Sequence, residues 1–107
     1  MATLDELYTQ IINEQRNYLA QIQENFNKQC DQITVEAEKK LESIPFLNTA
    51  ERQKILQEQK QQFDQALANF KNEINVSSAK VRKRLEEINS QREAQKIAEI
   101  EEKIKKL

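Results

Sequence analysis

The sequence predicts an all-α protein, a long antiparallel helical hairpin whose two helices pair as a coiled coil. Apolar residues recur in steps of three, four and four over most of the 107 residues, an eleven-residue repeat of about 3.67 residues per turn. The chain has no glycine, and its one proline, Pro45, lies between two such stretches. We therefore predict one helical domain over residues 1–107: helix 1 at about 3–44, a turn at 45–48, helix 2 at about 49–105, and residues 90–107 as a tail extending past the start of helix 1.

Helix 1 has a well-marked start and a regular apolar face. Thr3 and Glu6 form a capping box, in which each side chain is expected to bond the other's free backbone N–H. One line of side chains then follows the eleven-residue repeat, with Gln15 as its polar interruption: Tyr8, Ile11, Leu19, Ile22, Phe26, Cys30, Ile33, Ala37, Leu41 and Ile44. We call the line where the two helices should meet the seam.

The turn follows from Pro45, because proline disfavours the helical conformation in the residue before it and has no N–H to donate. Asn48 followed by Glu51 is then the pattern of a new helix start. A connection of so few residues favours an antiparallel return of helix 2 along helix 1.

Helix 2 repeats the spacing of helix 1. Its predicted seam contains Leu56, Gln59, Phe63, Leu67, Phe70, Ile74, Ser78, Val81, Leu85 and Ile88. Folding about the turn places Phe26 beside Leu67 and the polar Gln15 beside Ser78. The alternative architecture is a three-helix bundle, because Asn75-Val76-Ser77-Ser78 has low helix propensity and a serine there can cap a new helix.

Charge supports pairing within the chain. Residues 1–47 carry 4 basic and 8 acidic side chains, and residues 48–107 carry 13 basic and 10 acidic ones. An acidic helix pairs better with a basic one than with its own copy.

Further apolar residues widen the predicted face beyond what one helix covers. We therefore also expect a homodimer, in which two hairpins form a four-helix bundle. These flanking residues are Ile12, Tyr18, Val35, Ile55, Ala66 and Val76.

The tail carries its own apolar stripe, formed by Ile97, Ile100, Ile104 and Leu107. In the predicted register these residues lie beyond the start of helix 1, so nothing in the chain covers them. An uncovered apolar helix face is typical of a binding surface. We therefore expect this stripe to bind protein partners.

Two other functions remain open. Lys80, Arg82, Lys83 and Arg84 form a basic cluster of the kind that binds nucleic-acid phosphates, although glutamates intrude, no aromatic residue interleaves and the pI is about 5.6. Eleven-residue amphipathic repeats also occur in helices that lie flat on lipid, but helix 1 is net negative. A membrane-surface role and a nucleic-acid role are therefore the alternatives to protein binding.

Composition argues against catalysis and metal binding. The chain has no histidine and one cysteine, Cys30, which excludes a Cys-His nucleophile and the usual zinc ligand sets. Its acidic clusters alternate with lysines, as on solvated helix faces. We expect no cofactor, no metal and no small-molecule substrate.

The lack of a long apolar run, of a signal peptide and of paired cysteines favours a cytoplasmic setting. The sequence thus predicts a structural or adaptor coiled-coil protein that is not an enzyme.

Overall fold

A computed structural model of the chain describes residues 2–107. These residues form two helices, α1 at Leu4–Glu42 and α2 at Thr49–Lys105, and the predicted all-α helical hairpin is confirmed. The predicted bounds agree with α2 and differ from α1 by one residue at its start and two at its end. Because α2 continues without interruption through residues 75–78, the alternative three-helix bundle with a break there is wrong.

The helix starts are set by their caps. The Thr3 hydroxyl accepts the backbone N–H of Glu6 at 3.1 Å, and α1 begins at the next residue, Leu4. The Asn48 carboxamide oxygen accepts the N–H of Glu51 at 3.4 Å, and α2 begins at Thr49. Each cap gives a partner to an N–H that has none within its helix.

The turn is closed by an arginine that sequence analysis missed. α1 ends before Pro45, whose carbonyl accepts the N–H of Asn48 at 2.9 Å. From α2, Arg52 donates to the carbonyls of Leu41 at 3.1 Å and Ile44 at 3.4 Å, and its guanidinium lies 5.7 Å from the centre of the Phe46 ring. Carbonyls at a helix end lack intrahelical partners. Arg52 therefore caps α1 from the facing helix.

The chain divides into two compact units. The first, residues 19–74, contains the turn and both helix arms next to it, and we call it the turn unit. Within it Phe26 stacks on Phe70, with ring centres 4.6 Å apart and planes inclined by 25°. The sequence placed Phe26 beside Leu67; the observed partner lies three residues further along α2. The most buried side chains of the turn unit are Ile22, Ala37 and Ala66.

The seam on α2 has the predicted eleven-residue repeat, but its three-residue steps fall at different places. We call this placement the phase of the seam. Ala66 is 7% exposed and Leu67 is 39% exposed, and Ile55 is likewise less exposed than Leu56. The prediction that Leu56 and Leu67 lie on the seam is therefore wrong, and Ile55 and Ala66 occupy it. Both choices keep steps of three and four between the flanking phenylalanines. A methyl group at position 66 leaves room on the seam for the neighbouring aromatic rings, whereas a leucine there would crowd them.

The second unit joins residues 2–18 with residues 75–107, and we call it the terminal unit. Its buried apolar residues are Ile11 and Ile88. The half-buried Gln15 accepts a hydrogen bond from the Ser77 hydroxyl at 2.8 Å. A polar pair on the seam was expected, but with the neighbouring Ser78. The bond supplies Gln15 with a partner where water is partly excluded.

The helices of the terminal unit are antiparallel, and ion pairs between them reach as far along α2 as Arg92. Glu14 pairs with Arg84 at 3.5 Å. Further along, Arg92 binds the Asp5 carboxylate, and its guanidinium lies 5.0 Å from the centre of the Tyr8 ring. From residue 93 to residue 107 every residue is exposed.

Candidate functional site

The exposed tail carries the apolar side chains predicted to bind partners. Ile97 and Ile100 are each 57% exposed, Ile104 is 62% exposed and Leu107 is fully exposed. α2 remains helical to Lys105, and the N–H of Leu107 still donates to the Ile104 carbonyl at 3.2 Å. The four side chains, spaced by three, four and three residues, therefore share one side of the tail. We call them the tail stripe.

The three isoleucines of the tail stripe do not continue the seam. Extending the seam beyond Ile88 and Arg92 by the same steps leads to three charged residues, Lys96, Glu99 and Lys103, and only then to Leu107. The isoleucines of the stripe each follow one of these residues directly, so they are turned from the seam by about 100°. A helix lying along the seam would not cover them. The stripe also has the spacing of a heptad repeat in place of the eleven-residue repeat.

Little within the chain stabilises the tail as a helix. Glu102 and Lys106 form an ion pair of 3.7 Å one turn apart, with both side chains mostly exposed. Such a pair contributes about 0.2–0.5 kcal/mol. Short helices without tertiary packing are marginal in water, because most helical stability in proteins comes from burying an apolar face. A partner on the tail stripe would supply that burial.

The basic cluster does not present a single face. Arg84 pairs with Glu14, whereas Lys80, Arg82 and Lys83 are exposed and no carboxylate of residues 2–107 lies within 4.0 Å of them. Successive helical residues are turned by about 100°, so Arg82 and Arg84 point to nearly opposite sides of α2. The cluster therefore offers three free cations but no continuous basic stripe.

Some of the flanking residues on which the expected four-helix bundle is based lie on the seam instead. Tyr18, Val35 and Val76 are exposed and Ile12 is half-buried, whereas Ile55 and Ala66 lie on the seam. The prediction that Ile55 and Ala66 are flanking residues is wrong, because they occupy the seam positions predicted for Leu56 and Leu67. Leu56 and Leu67 take their place as exposed apolar neighbours. Dimerisation through this surface remains a prediction.

The turn carries a second exposed apolar pair that sequence analysis did not single out. Phe46 is 81% exposed and Leu47 is 90% exposed. Both lie in the turn that connects α1 to α2. The Arg52 guanidinium beside the Phe46 ring is their nearest charged neighbour shown by the structure. Two side chains make a smaller apolar surface than the four of the tail stripe.

Two further features lie within residues 2–107, a groove in the turn unit and the single cysteine. A groove beside the phenylalanine stack is lined by eight residues, of which four are amides: Asn25, Gln29, Asn69 and Asn72. Cys30 is half-buried and not disulfide-bonded. In this part of the chain, no three acidic, cysteine or histidine side chains lie close enough together to hold a metal ion.

Neither helix has a stretch both long and apolar enough to cross a lipid bilayer, as judged over residues 2–107. Comparison of the chain with models of known protein families gives no match, and comparisons with curated proteins and with solved structures give none either.

Proposed function

We propose that this chain is a structural or adaptor coiled-coil protein that binds protein partners through its tail stripe and catalyses no reaction. The observation that carries the proposal is the exposure of Ile97, Ile100, Ile104 and Leu107. They lie beyond Arg92, which binds Asp5 of α1 and is followed only by exposed residues. A cytoplasmic setting is part of the proposal, and the single unpaired cysteine, Cys30, agrees with it.

The energetics support a protein partner for this surface. Full burial of a leucine or isoleucine side chain contributes about 1.5–3 kcal/mol. Each residue of the tail stripe still has more than half of its surface exposed, so burying it would add about 1–2 kcal/mol before ordering costs. Four such side chains in one line favour a helix contact, and a helix in a groove or a coiled coil uses this spacing.

The proposal is tested with the double variant Ile100→Asp/Ile104→Asp and with a chain that ends at Arg92. The matched control is Gln95→Asp/Ala98→Asp, which adds the same number of carboxylates to the tail outside the stripe. Multi-angle light scattering gives the mass in solution, and recovery of partners from lysate gives the binding of other proteins. Circular dichroism confirms that the remaining helices are intact.

We expect both stripe variants to lose self-association or partner recovery, because carboxylates cannot be buried without a partner charge. The control should behave as wild type apart from a small charge effect. If both stripe variants keep the mass and the partners of wild type, the tail stripe is not the binding surface.

Nucleic-acid binding is the second candidate, favoured by the exposure of Lys80, Arg82 and Lys83 without ion pairs in the described chain. Replacing these three residues by Gln should then weaken binding to a duplex of mixed sequence, and the logarithm of affinity should fall with the logarithm of salt. Fluorescence anisotropy with a labelled duplex measures both effects. Absence of salt-dependent binding in wild type would exclude this candidate.

Lipid-surface binding is the least supported alternative, because in each unit the apolar seam is already occupied by the facing helix. Binding would require the helices to separate. Co-sedimentation with anionic phosphatidylserine vesicles tests it. Recovery of the protein with the vesicles would favour this role, and recovery in the supernatant would exclude it.

A further inference from the structure

We propose that the partner of the tail stripe is a second copy of this chain, and that the two tails pair side by side, parallel and in register, over residues 96–107. The inference rests on the proposed function, because it takes the tail stripe to be a protein-binding surface and names its occupant. It differs from the expected four-helix bundle, which would use the flanking residues of the hairpin.

The apolar spacing defines the positions in the heptad repeat. Ile97 and Ile104 take the a positions, and Ile100 and Leu107 take the d positions. In a parallel coiled coil each a or d side chain lies beside its own copy in the partner. The change from the eleven-residue repeat to the heptad repeat after Arg92 is what a helix needs to leave one straight pairing and enter a left-handed one.

The charges beside the stripe favour the parallel arrangement. Lys96 takes the g position before the first a residue, and Glu101 takes the e position five residues later. In a parallel pair, the g side chain of one helix lies next to the e side chain five residues on in the other. Lys96 therefore lies beside Glu101 of the partner subunit, and symmetry repeats this pair on the other side.

The antiparallel arrangement places like charges together. With the same apolar layers, Ile97 would lie beside Leu107 of the partner subunit. The g positions then face each other, as do the e positions. Lys103 would lie beside Lys103 of the partner subunit, and Glu101 would lie beside Glu101 of the partner subunit. Both flanks would repel, so the charges select the parallel pair.

Lys96 and Glu101 are available for this role. Both are exposed, and neither has an oppositely charged side chain within 4.0 Å in residues 2–107. The other carboxylates of the tail lie outside the a, d, e and g positions, apart from Glu93 upstream of the stripe. The stripe is thus bordered on one flank by lysine and on the other by glutamate, as a parallel homodimer requires.

A charge-swap experiment tests the arrangement. Lys96→Glu and Glu101→Lys, each made in the full chain, turn two attractive pairs into two repulsive ones, and we expect each to weaken self-association by about tenfold. An equimolar mixture of the two variants re-creates both attractive pairs, so the mixture should associate nearly as wild type does. Sedimentation velocity of each protein and of the mixture gives the dissociation constants, and circular dichroism verifies folding.

Cysteine cross-linking tests the direction independently. In a Cys30→Ser background, Ile97→Cys should form a disulfide-linked dimer on mild oxidation, because a parallel pair places both cysteines together. An antiparallel pair would separate them by about 15 Å, well beyond the reach of a disulfide. Glu102→Cys, on the side away from the stripe, is the control and should remain largely monomeric.

The outcomes separate this inference from the proposed function. If Ile100→Asp/Ile104→Asp abolishes self-association but the charge-swapped mixture does not recover it, the parallel arrangement is wrong and the tail stripe remains the surface. If wild type is monomeric at hundreds of micromolar but the same double variant no longer binds a different protein, the partner of the tail stripe is not a second copy of this chain. If the double variant changes neither property, both proposals are overturned.

Discussion

Because Ala66 lies on the seam and Leu67 lies beside it, aspartate should destabilise the fold more at position 66 than at position 67. Ala66 is 7% exposed and lies on the seam, whereas Leu67 is 39% exposed beside it. Sequence spacing alone placed the larger residue on the seam. Replacing each by aspartate, with the exposed Gln65→Asp as a baseline for helix propensity and added charge, compares the two positions with the same side chain.

The expected magnitudes differ. Ala66→Asp places a carboxylate between the helices without a partner, which costs several kcal/mol if the charge stays buried and about 3 kcal/mol after the helices relax. Leu67→Asp loses the part of the leucine that is covered, about 1–2 kcal/mol. The difference of about 1–2 kcal/mol corresponds to roughly 5–15 °C in Tm for a protein of this size.

Thermal unfolding followed by circular dichroism at 222 nm measures the three variants against wild type. We expect the order of Tm to be Gln65→Asp highest, Leu67→Asp intermediate and Ala66→Asp lowest. Equal losses at positions 66 and 67, or a larger loss at 67, would refute the assigned phase. The leucine would then belong to the seam as the spacing alone indicated.

Three further substitutions test single contacts by urea unfolding or amide exchange. Arg52→Lys should lower the free energy of unfolding by about 1 kcal/mol, because lysine cannot bond two carbonyls and lie over a ring as arginine does; an unchanged value would mean that the cap is not stabilising. Ser77→Ala removes the bond to Gln15 and should cost about 1 kcal/mol, more than Ser78→Ala; equal costs would contradict the observed pairing. Arg92→Ala should speed amide exchange at the start of α1 without changing the turn unit, and unaltered exchange there would show that its contacts do not hold that end.

The helix bounds followed from the sequence because they depend on local chemistry. Thr3 and Asn48 bond N–H groups three residues away, and Pro45 acts on its neighbours. None of these effects requires knowledge of the other helix. The seam of α1 also followed from the spacing. Its predicted residues are buried or half-buried, whereas the adjacent Leu7 and Tyr18 are exposed.

The phase of α2 and the Arg52 cap were not predictable in the same way. Steps of three and four accommodate either Ala66 or Leu67, and only the packing against α1 decides between them. Arg52 bonds carbonyls eight and eleven residues away, so no short pattern marks it. Long-range packing and long-range hydrogen bonds are what spacing alone leaves open.

The sequence predicted that the apolar side chains of the tail are exposed. It did not predict that the isoleucines are turned away from the seam. The exposure of Ile100 and Ile104 follows from the register. A signal for the turned face was nevertheless present, since the charged Lys96, Glu99 and Lys103 occupy the positions to which the seam repeat leads. Ile88 already lay on the predicted seam, so the turned face could have been recognised from the spacing alone.

Hydroxyl-radical footprinting at increasing protein concentration can show whether two copies of the chain meet at the tail stripe, because it reports the solvent exposure of each side chain. We expect the reactivity of Ile97, Ile100 and Ile104 to fall as the protein dimerises, while that of Phe46, highly exposed at the turn, stays constant as the internal control. Sedimentation on the same samples gives the fraction of dimer. If the protein dimerises while the three isoleucines keep their full reactivity, or remains monomeric with the stripe exposed at hundreds of micromolar, the tail stripe is not where two copies meet.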